Sequence, residues 1–395
     1  MSLLEIWKRS PEQLRDKRVQ QLIAISGDGK LSDGGVGSSE FRAFLTQVSS
    51  DDLNRYSEDC LTAPFQDSGF ALQDIVNELG SRLGATVTPG RYRGAAGQIG
   101  NDGLWVFPDS HGIVVEAKTT DAYRIDLNKV IAYKAALIQA QKVSPDRVSI
   151  LIVVGREDTG DLEAQVRGSR FAWDIRIISV NALFRLLRIK EEVDDPEMIS
   201  RIHKVLVPRE FTRLDEIVDL VFSTAEDLRQ EESETTPPLG PAESSADQPQ
   251  FTPVAFHQKC IEQVEKALGR VFIKRSRSTF TTPEGDHAVV CMVSKEHDPD
   301  QRPNYWFAFY PHQKDLLQGA PHGYVALGCG SATRLLLIPA SDFIAWLDGT
   351  WVTQKGERFY WHIVVYKEET RFVLHRKKGE TRIEVTKYLL QHDSL

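Results

Sequence analysis

Cysteine is scarce in this 395-residue chain: Cys60, Cys260, Cys291 and Cys329 are the only four, and they are far apart. That spacing excludes a C-x-x-C zinc or redox motif and a disulfide framework, and leaves the thiols as small core hydrophobes. Long apolar runs are lacking too. No stretch approaches the roughly 18 residues of a membrane helix, and the opening MSLLEIWKRSPEQLRDKR has no apolar signal-peptide core, so no membrane partner and a cytoplasmic location are expected. No G-x-x-x-x-G-K-[ST] appears, which excludes a P-loop motor, and no G-x-S-x-G, which excludes a serine nucleophile elbow. Excess positive charge is missing as well, with 48 Lys and Arg against 56 Asp and Glu. Any surface for a polyanion must therefore be local.

The charge is distributed unevenly. Residues 253–395 hold 19 Lys and Arg against 16 Asp and Glu, leaving 29 against 40 for the rest. The boundary between the two parts is a polar, proline-rich stretch from Gln230 to Pro249 with too little apolar content to fold. The expected organisation is a helical region over 1–64, a catalytic domain with a helical tail over 65–228, a flexible linker over 229–252 and an α+β domain over 253–395. Leu3–Trp7 and Gln13–Ile25 carry helical periodicity, as do 41–45, 53–61 and 197–228. No internal repeat is visible in the sequence.

Chemistry concentrates in G-N-D-G-L-W-V-F-P-D-S-H-G-I-V-V-E-A-K-T-T. Ile113, Val115 and Ala117 alternate with Val114, Glu116 and Lys118, so a strand puts the acid and the lysine on one face. Leu104–Phe107 reads as the preceding strand and 108–112 as a turn. A hairpin loop of three or five residues centred on Ser110 sets Asp102 opposite Lys118 and beside Glu116, whereas an even loop turns Asp102 to the wrong face. Two carboxylates at a sheet end can hold a hard divalent cation, Mg2+ first and Mn2+ as a substitute, while a lysine orients water or offsets charge. Such a site suits phosphodiester hydrolysis. Upstream, the glycine-rich run 88–101 carries Arg91 and Arg93 around Tyr92, and glycine with arginine suits phosphate contact. An amphipathic helix from Phe70 ends at Gly84. Downstream, Asp126 is placed as the N-cap of a helix, with Ile125 packing on Val130.

The triad resembles the motif of the PD-(D/E)xK, or restriction-endonuclease-like, nucleases. Asp102 matches its first acid and Glu116-Ala117-Lys118 its (D/E)xK, while Asn101 stands where the motif has proline. The resemblance covers about residues 65–190. It implies an α/β restriction-endonuclease-like core, a mixed sheet flanked by helices, here with a helical N-terminal extension and a separate C-terminal α+β domain. It implies a metal-dependent DNA endonuclease of a restriction or anti-phage defence type, with Asp102, Glu116 and Lys118 catalytic and Asp102, Glu116 and Glu78 on the metal. Asp74, one turn before Glu78, is a weaker candidate. Gln98 is placed near the metal, and Lys129 and Tyr133, one turn apart on the helix after the motif, beside it. DNA is the expected partner, together with a second copy of the chain if both strands are cut and with partner proteins of a defence system. A DNA-binding protein with a structural nuclease-like core and a nuclease acting on RNA are the alternatives.

The C-terminal body reads as a helix from His257 followed by strands in a mostly antiparallel sheet. Lys274, Arg275 and Arg277 beside one strand, with dense aromatics at 305–310 and 359–361, suggest a DNA-recognition domain. Helix-strand-strand order there invites a degenerate second nuclease-like fold, but no acid-x-Lys motif accompanies it.

Overall fold

The computed structural model describes residues 2–93, 99–119, 125–155, 159–193, 198–208, 218, 253–297, 302–355, 358–377 and 379–390. The chain divides into a unit over Met1–Pro237 and a second over Pro238–Leu395. The expected linker and residues 209–217 and 219–228 of the expected helical tail lie outside the described residues.

In the first unit, helices α1 (Leu3–Arg9), α2 (Val19–Ala24), α3 (Val36–Leu45) and α4 (Ser50–Thr62) precede α5 (Ser68–Arg82). A capping box starts α1, with Ser2 and Glu5 each bonded to the other's backbone, and Ser49 caps α4. The helix expected over Gln13–Ile25 is broken. Pro11 opens a short 3-10 turn, Arg55 takes the Lys17 carbonyl at 3.1 Å, and α2 begins only at Val19. The first sixty residues are no separate body, because Leu3, Phe41, Phe44 and Tyr56 share one apolar core with Leu72, Ile75, Leu79 and Trp105.

Strands β1 (Thr86–Pro89), β2 (Gly103–Val106), β3 (Gly112–Lys118), β4 (Val148–Val154) and β5 (Ile175–Ser179) form one sheet in that order. The first two pairings are antiparallel and the last two parallel. Between them run α6 (Leu127–Gln139) and α7 (Gly160–Arg167), followed by α8 (Val180–Glu192) and α9 (Met198–Leu206). β4 is apolar apart from Ser149 and buried along its whole length, as a strand covered on both faces is. Trp105, Ile113, Val115, Leu151 and Val153 face α5 and α8, whereas Leu104, Val114, Ile150 and Ile152 face α6 and α7. Asp126 caps α6 as expected, and Ile125 and Val130 share its core. Gly80 lets α5 approach the sheet, since a Cβ there would meet the Trp105 ring at 2.3 Å.

The second unit opens with α10 (Pro253–Leu268), then β6 (Ile273–Lys274), β7 (Thr279–Thr281), β8 (His287–Ser294) and β9 (Asn304–Phe309). α11 (Pro311–Gly319), β10 (His322–Cys329), β11 (Leu335–Pro339) and α12 (Ala340–Trp346) follow, and β12 (Trp351–Lys355), β13 (Arg358–Glu368), β14 (Arg371–His375) and β15 (Ile383–Glu384) complete it. One sheet has the order β11-β10-β8-β7-β6, and β10 lies parallel to β8. That parallel pair is the exception within a sheet whose other pairings are antiparallel, as the mostly antiparallel expectation allows. The other sheet is antiparallel, with β9 on one edge of β13 and β12 and β14 on further pairings along it.

The two units follow one chain path. α10-β6-β7-β8-α11-β10 repeats α5-β1-β2-β3-α6-β4, with β9 inserted, and the strand pairings are antiparallel, antiparallel and parallel in both. The opening helix packs on one sheet face and the crossover helix on the other in each case. A shared backbone bond fixes the alignment: Gly155 N–H donates to the Lys118 carbonyl at 3.0 Å, and Gly330 N–H to the Ser294 carbonyl at 2.8 Å.

Candidate metal centre

The hairpin between β2 and β3 decides whether the acids meet. Its register pairs Trp105 with Ile113 and Val106 with Gly112, leaving a five-residue loop from Phe107 to His111. Ser110, at φ 67°, takes the left-handed turn. The loop is centred on Asp109, one residue earlier than expected; the ladder ends at Gly103 opposite Val115, and the Asp102 N–H turns to the Val115 carbonyl, so Asp102 does not stand opposite Lys118. Glu116 and Lys118 lie on one face of β3, and Glu116, Lys118 and Lys129 all act on the Asp102 carboxylate.

Asp102 is held at several points. Its N–H donates to the Val115 carbonyl at 3.0 Å, and its carbonyl accepts from Gly90 N–H at 2.9 Å, Gln73 Nε2 at 3.0 Å and Asn77 Nδ2 at 2.9 Å. Its carboxylate accepts from Ala117 N–H at 2.7 Å. The backbone is thus anchored from the α5 face while the carboxylate remains beside β3. Burial, and then the neighbouring Glu116, push the Asp102 carboxyl up to about 7, although the Ala117 amide, Lys118 and Lys129 pull it down. Glu116 is only 8% exposed; its Oε1 accepts from Lys118 Nζ at 2.5 Å, and its buried Oε2 has no hydrogen-bond partner. Two neighbouring carboxylates, one with a buried oxygen left bare, are donors of the type that hard divalent cations take. Among the described residues no group of three His, Cys, Asp or Glu could hold a metal. The candidate donors are therefore Asp102 and Glu116.

Lys129 and Tyr133 do come to this face. Lys129 Nζ lies 5.9 Å from the Tyr133 ring centroid, and the Tyr133 hydroxyl and then Glu116 raise the Lys129 pKa. A Cβ on Gly100 would stand 3.1 Å from the Tyr133 hydroxyl, so α6 reaches the segment leading into Asp102.

Other expected residues sit elsewhere. Glu78 is bonded to Arg82 Nε at 2.8 Å, and Arg82 also bonds the Leu45 and Val48 carbonyls, so this pair serves the junction of α5 with α3 and α4. The α5 residues that contact Asp102 are Gln73 and Asn77. Asp74 is buried between Arg42 Nε at 2.8 Å and the Tyr92 hydroxyl, and is likewise structural. Arg91 is paired with Asp33 at 3.3 Å, and Arg93 lies 5.8 Å over the Phe70 ring. Gln98 falls outside the described residues. Sequence reasoning missed Asn77 and Gln73; their signal is a polar pair spaced i, i+4 in a helix whose other buried positions are mostly apolar. Asn77 Oδ1 also accepts from Trp105 Nε1 at 3.0 Å, and a Cβ on Gly103 would meet that oxygen at 2.1 Å.

Among the described residues the second unit has no such site. With Ser294 aligned to Lys118, Met292 stands where Glu116 is, and the β7–β8 register runs on to set Arg277 opposite it. Lys274 lies on β6 opposite Phe280, and Arg275 Nε bonds Thr281 Oγ1 at 2.7 Å. A basic residue and a methionine at the two acid places exclude a metal site of the first unit's kind.

Among the described residues no helix is long and apolar enough to cross a membrane. In comparison with known proteins, no family model and no curated protein matches the chain.

Proposed function

We propose that the first unit is a metal-dependent phosphodiesterase of the PD-(D/E)xK kind, cutting DNA within the strand. The observation that carries this reading is the Asp102 carboxylate bonded to the Ala117 amide, next to Glu116, whose buried Oε2 has no partner, on the strand that also bears Lys118. The helix-strand-strand-strand-helix-strand path around the hairpin supports it.

Asp102 and Glu116 would hold Mg2+, which supplies charge neutralisation at the phosphate and a more acidic water. Asp102 must be deprotonated to bind it, and Ala117 N–H favours that form. Lys118, held against Glu116, is placed to orient a nucleophilic water or to offset charge on the phosphate oxygens. Lys129 adds positive charge to the same face, and Asn77 with Gln73 fixes the backbone from which Asp102 projects.

The test is incubation of methylated and unmethylated plasmid, linear DNA and RNA with the protein in Mg2+ or EDTA, beside Glu116→Ala and Lys118→Ala. Metal-dependent cutting of DNA that both substitutions abolish is the expected result. Cutting that survives either substitution, or confinement to RNA, overturns the proposal.

A further inference from the structure

Strand aromatics ordinarily fill cores, yet one face of the β9–β13–β12 sheet in the second unit presents them outward. Phe307, Phe309, Ile363 and Val365 are buried on the inner face. Alternation then places Trp306 and Tyr310 on the outer face with Tyr360 and His362, and the β12 register adds Trp351 opposite His362. Trp306 and Trp351 are each 41% exposed. The rings form a contiguous set: Tyr310 to Tyr360 is 5.6 Å, Tyr360 to His362 is 5.0 Å and His362 to Trp306 is 5.7 Å between centroids.

Their orientation is fixed by their own polar atoms. Trp306 Nε1 can only donate, and it lies 3.0 Å from His362 Nδ1. The neutral imidazole therefore carries its proton on Nε2, which donates to Thr353 Oγ1 at 2.6 Å. Those bonds hold Trp306 edge-on to Tyr360, with the two rings at 83° to each other. From Gly349 to Leu390 the sequence carries nine Lys and Arg against five Asp and Glu, in a chain whose net charge is −8. Arg302 adds a guanidinium 5.0 Å over the Tyr366 ring of the same sheet, where it also meets Glu368 at 3.8 Å.

Pre-positioned aromatic faces within a positive segment match a polyanion with unpaired bases, which stack on such rings while cations follow the phosphates. A duplex hides its base faces. We infer that the outer face of β9, β13 and β12 binds single-stranded DNA by stacking bases on Trp306, Tyr360 and their neighbours. The choice of DNA rests on the proposed cleavage function; the platform itself does not.

The test measures binding of the full chain to labelled oligo(dT), oligo(rU) and duplex DNA in EDTA, where no cutting confuses the signal. Oligo(dT) should be preferred, with affinity falling as salt rises. Trp306→Ala and Tyr360→Ala should each weaken it about ten-fold, the scale of one lost base–aromatic stack. Trp306→Phe should retain most of the affinity, and all three variants should melt like the parent. Because binding is read in EDTA, failure of the cleavage reading leaves this result standing. Unchanged affinity in both alanine variants overturns the inference, as does preference for duplex or oligo(rU). Conversion of a dimer to a monomer by Trp306→Ala overturns it too, by identifying the face as a self-association surface.

Discussion

The Asn77 side chain reaches the Asp102 backbone carbonyl at 2.9 Å while its own carbonyl oxygen receives the Trp105 indole at 3.0 Å. One amide on α5 thus fixes β2 at the residue that bears an acid and at a core residue three positions on.

Asn77→Ala leaves the Trp105 indole unpaired and removes one donor to Asp102, at about 1–3 kcal/mol for a buried group left bare. The melting temperature should fall by several degrees, and metal-dependent cutting should weaken through a higher Mg2+ requirement. A variant that melts and binds metal as the parent does would show that Gln73 and the backbone bonds to Gly90 and Val115 suffice to hold Asp102.

Glu78→Gln separates a structural role from a metal role. Bound to Arg82 beneath α3 and α4, Glu78 should matter to stability by about 1 kcal/mol and leave the Mg2+ dependence of cutting unmoved. A titration in which the half-saturating Mg2+ concentration rises for this variant would put Glu78 on the metal after all.

Asp74 makes stability depend on pH in a direction unusual for a carboxylate. Burial raises its carboxyl to about 6 against the pull of Arg42 and Tyr92. With the folded pKa above the ordinary value near 4, the folded state holds more protons between about pH 4 and 6, so stability falls as pH rises through that window. The limit is about 3 kcal/mol, from roughly two pH units at 1.36 kcal/mol each. Denaturant melts of the parent and Asp74→Asn at pH 4, 5, 6 and 7 should differ in slope; parallel curves would rule the assignment out.

Arg176 on β5 is 1% exposed, and its Nε and Nη2 have no hydrogen-bond partner. Burial lowers its pKa to about 10. Replacing a buried, poorly paired ion by an apolar side chain of similar volume often stabilises by about 1–4 kcal/mol. Arg176→Met should therefore raise the melting temperature of the first unit, and a lower one would show that the guanidinium is needed.

Much of the first unit was legible because its signals are local. The alternation in Ile113–Lys118, the Asp126 cap and the apolar stripe of α5 each place an element without reference to distant chain. The hairpin register was constrained only to parity, and its centre moved to Asp109 because Ser110 adopts a positive φ that no residue type announces. Glu78 and Asn77 show the limit most clearly. They are neighbours on one helix, and only packing against α3, α4 and β2 decides which of them faces Asp102. In the second unit, α11 was missed because only Leu316 and Leu317 mark it as apolar, and the repeated chain path because it survives in pairing directions and not in residues.

That repeated path makes the chain its own reference. Of two similar scaffolds joined by one linker, only one retains the neighbouring acids, so Mg2+ should act as a thermodynamic label for half of the molecule. In a calorimetric scan, added Mg2+ should lift the transition of the unit bearing Asp102 and Glu116 and leave that of the unit bearing Arg277 and Met292 in place.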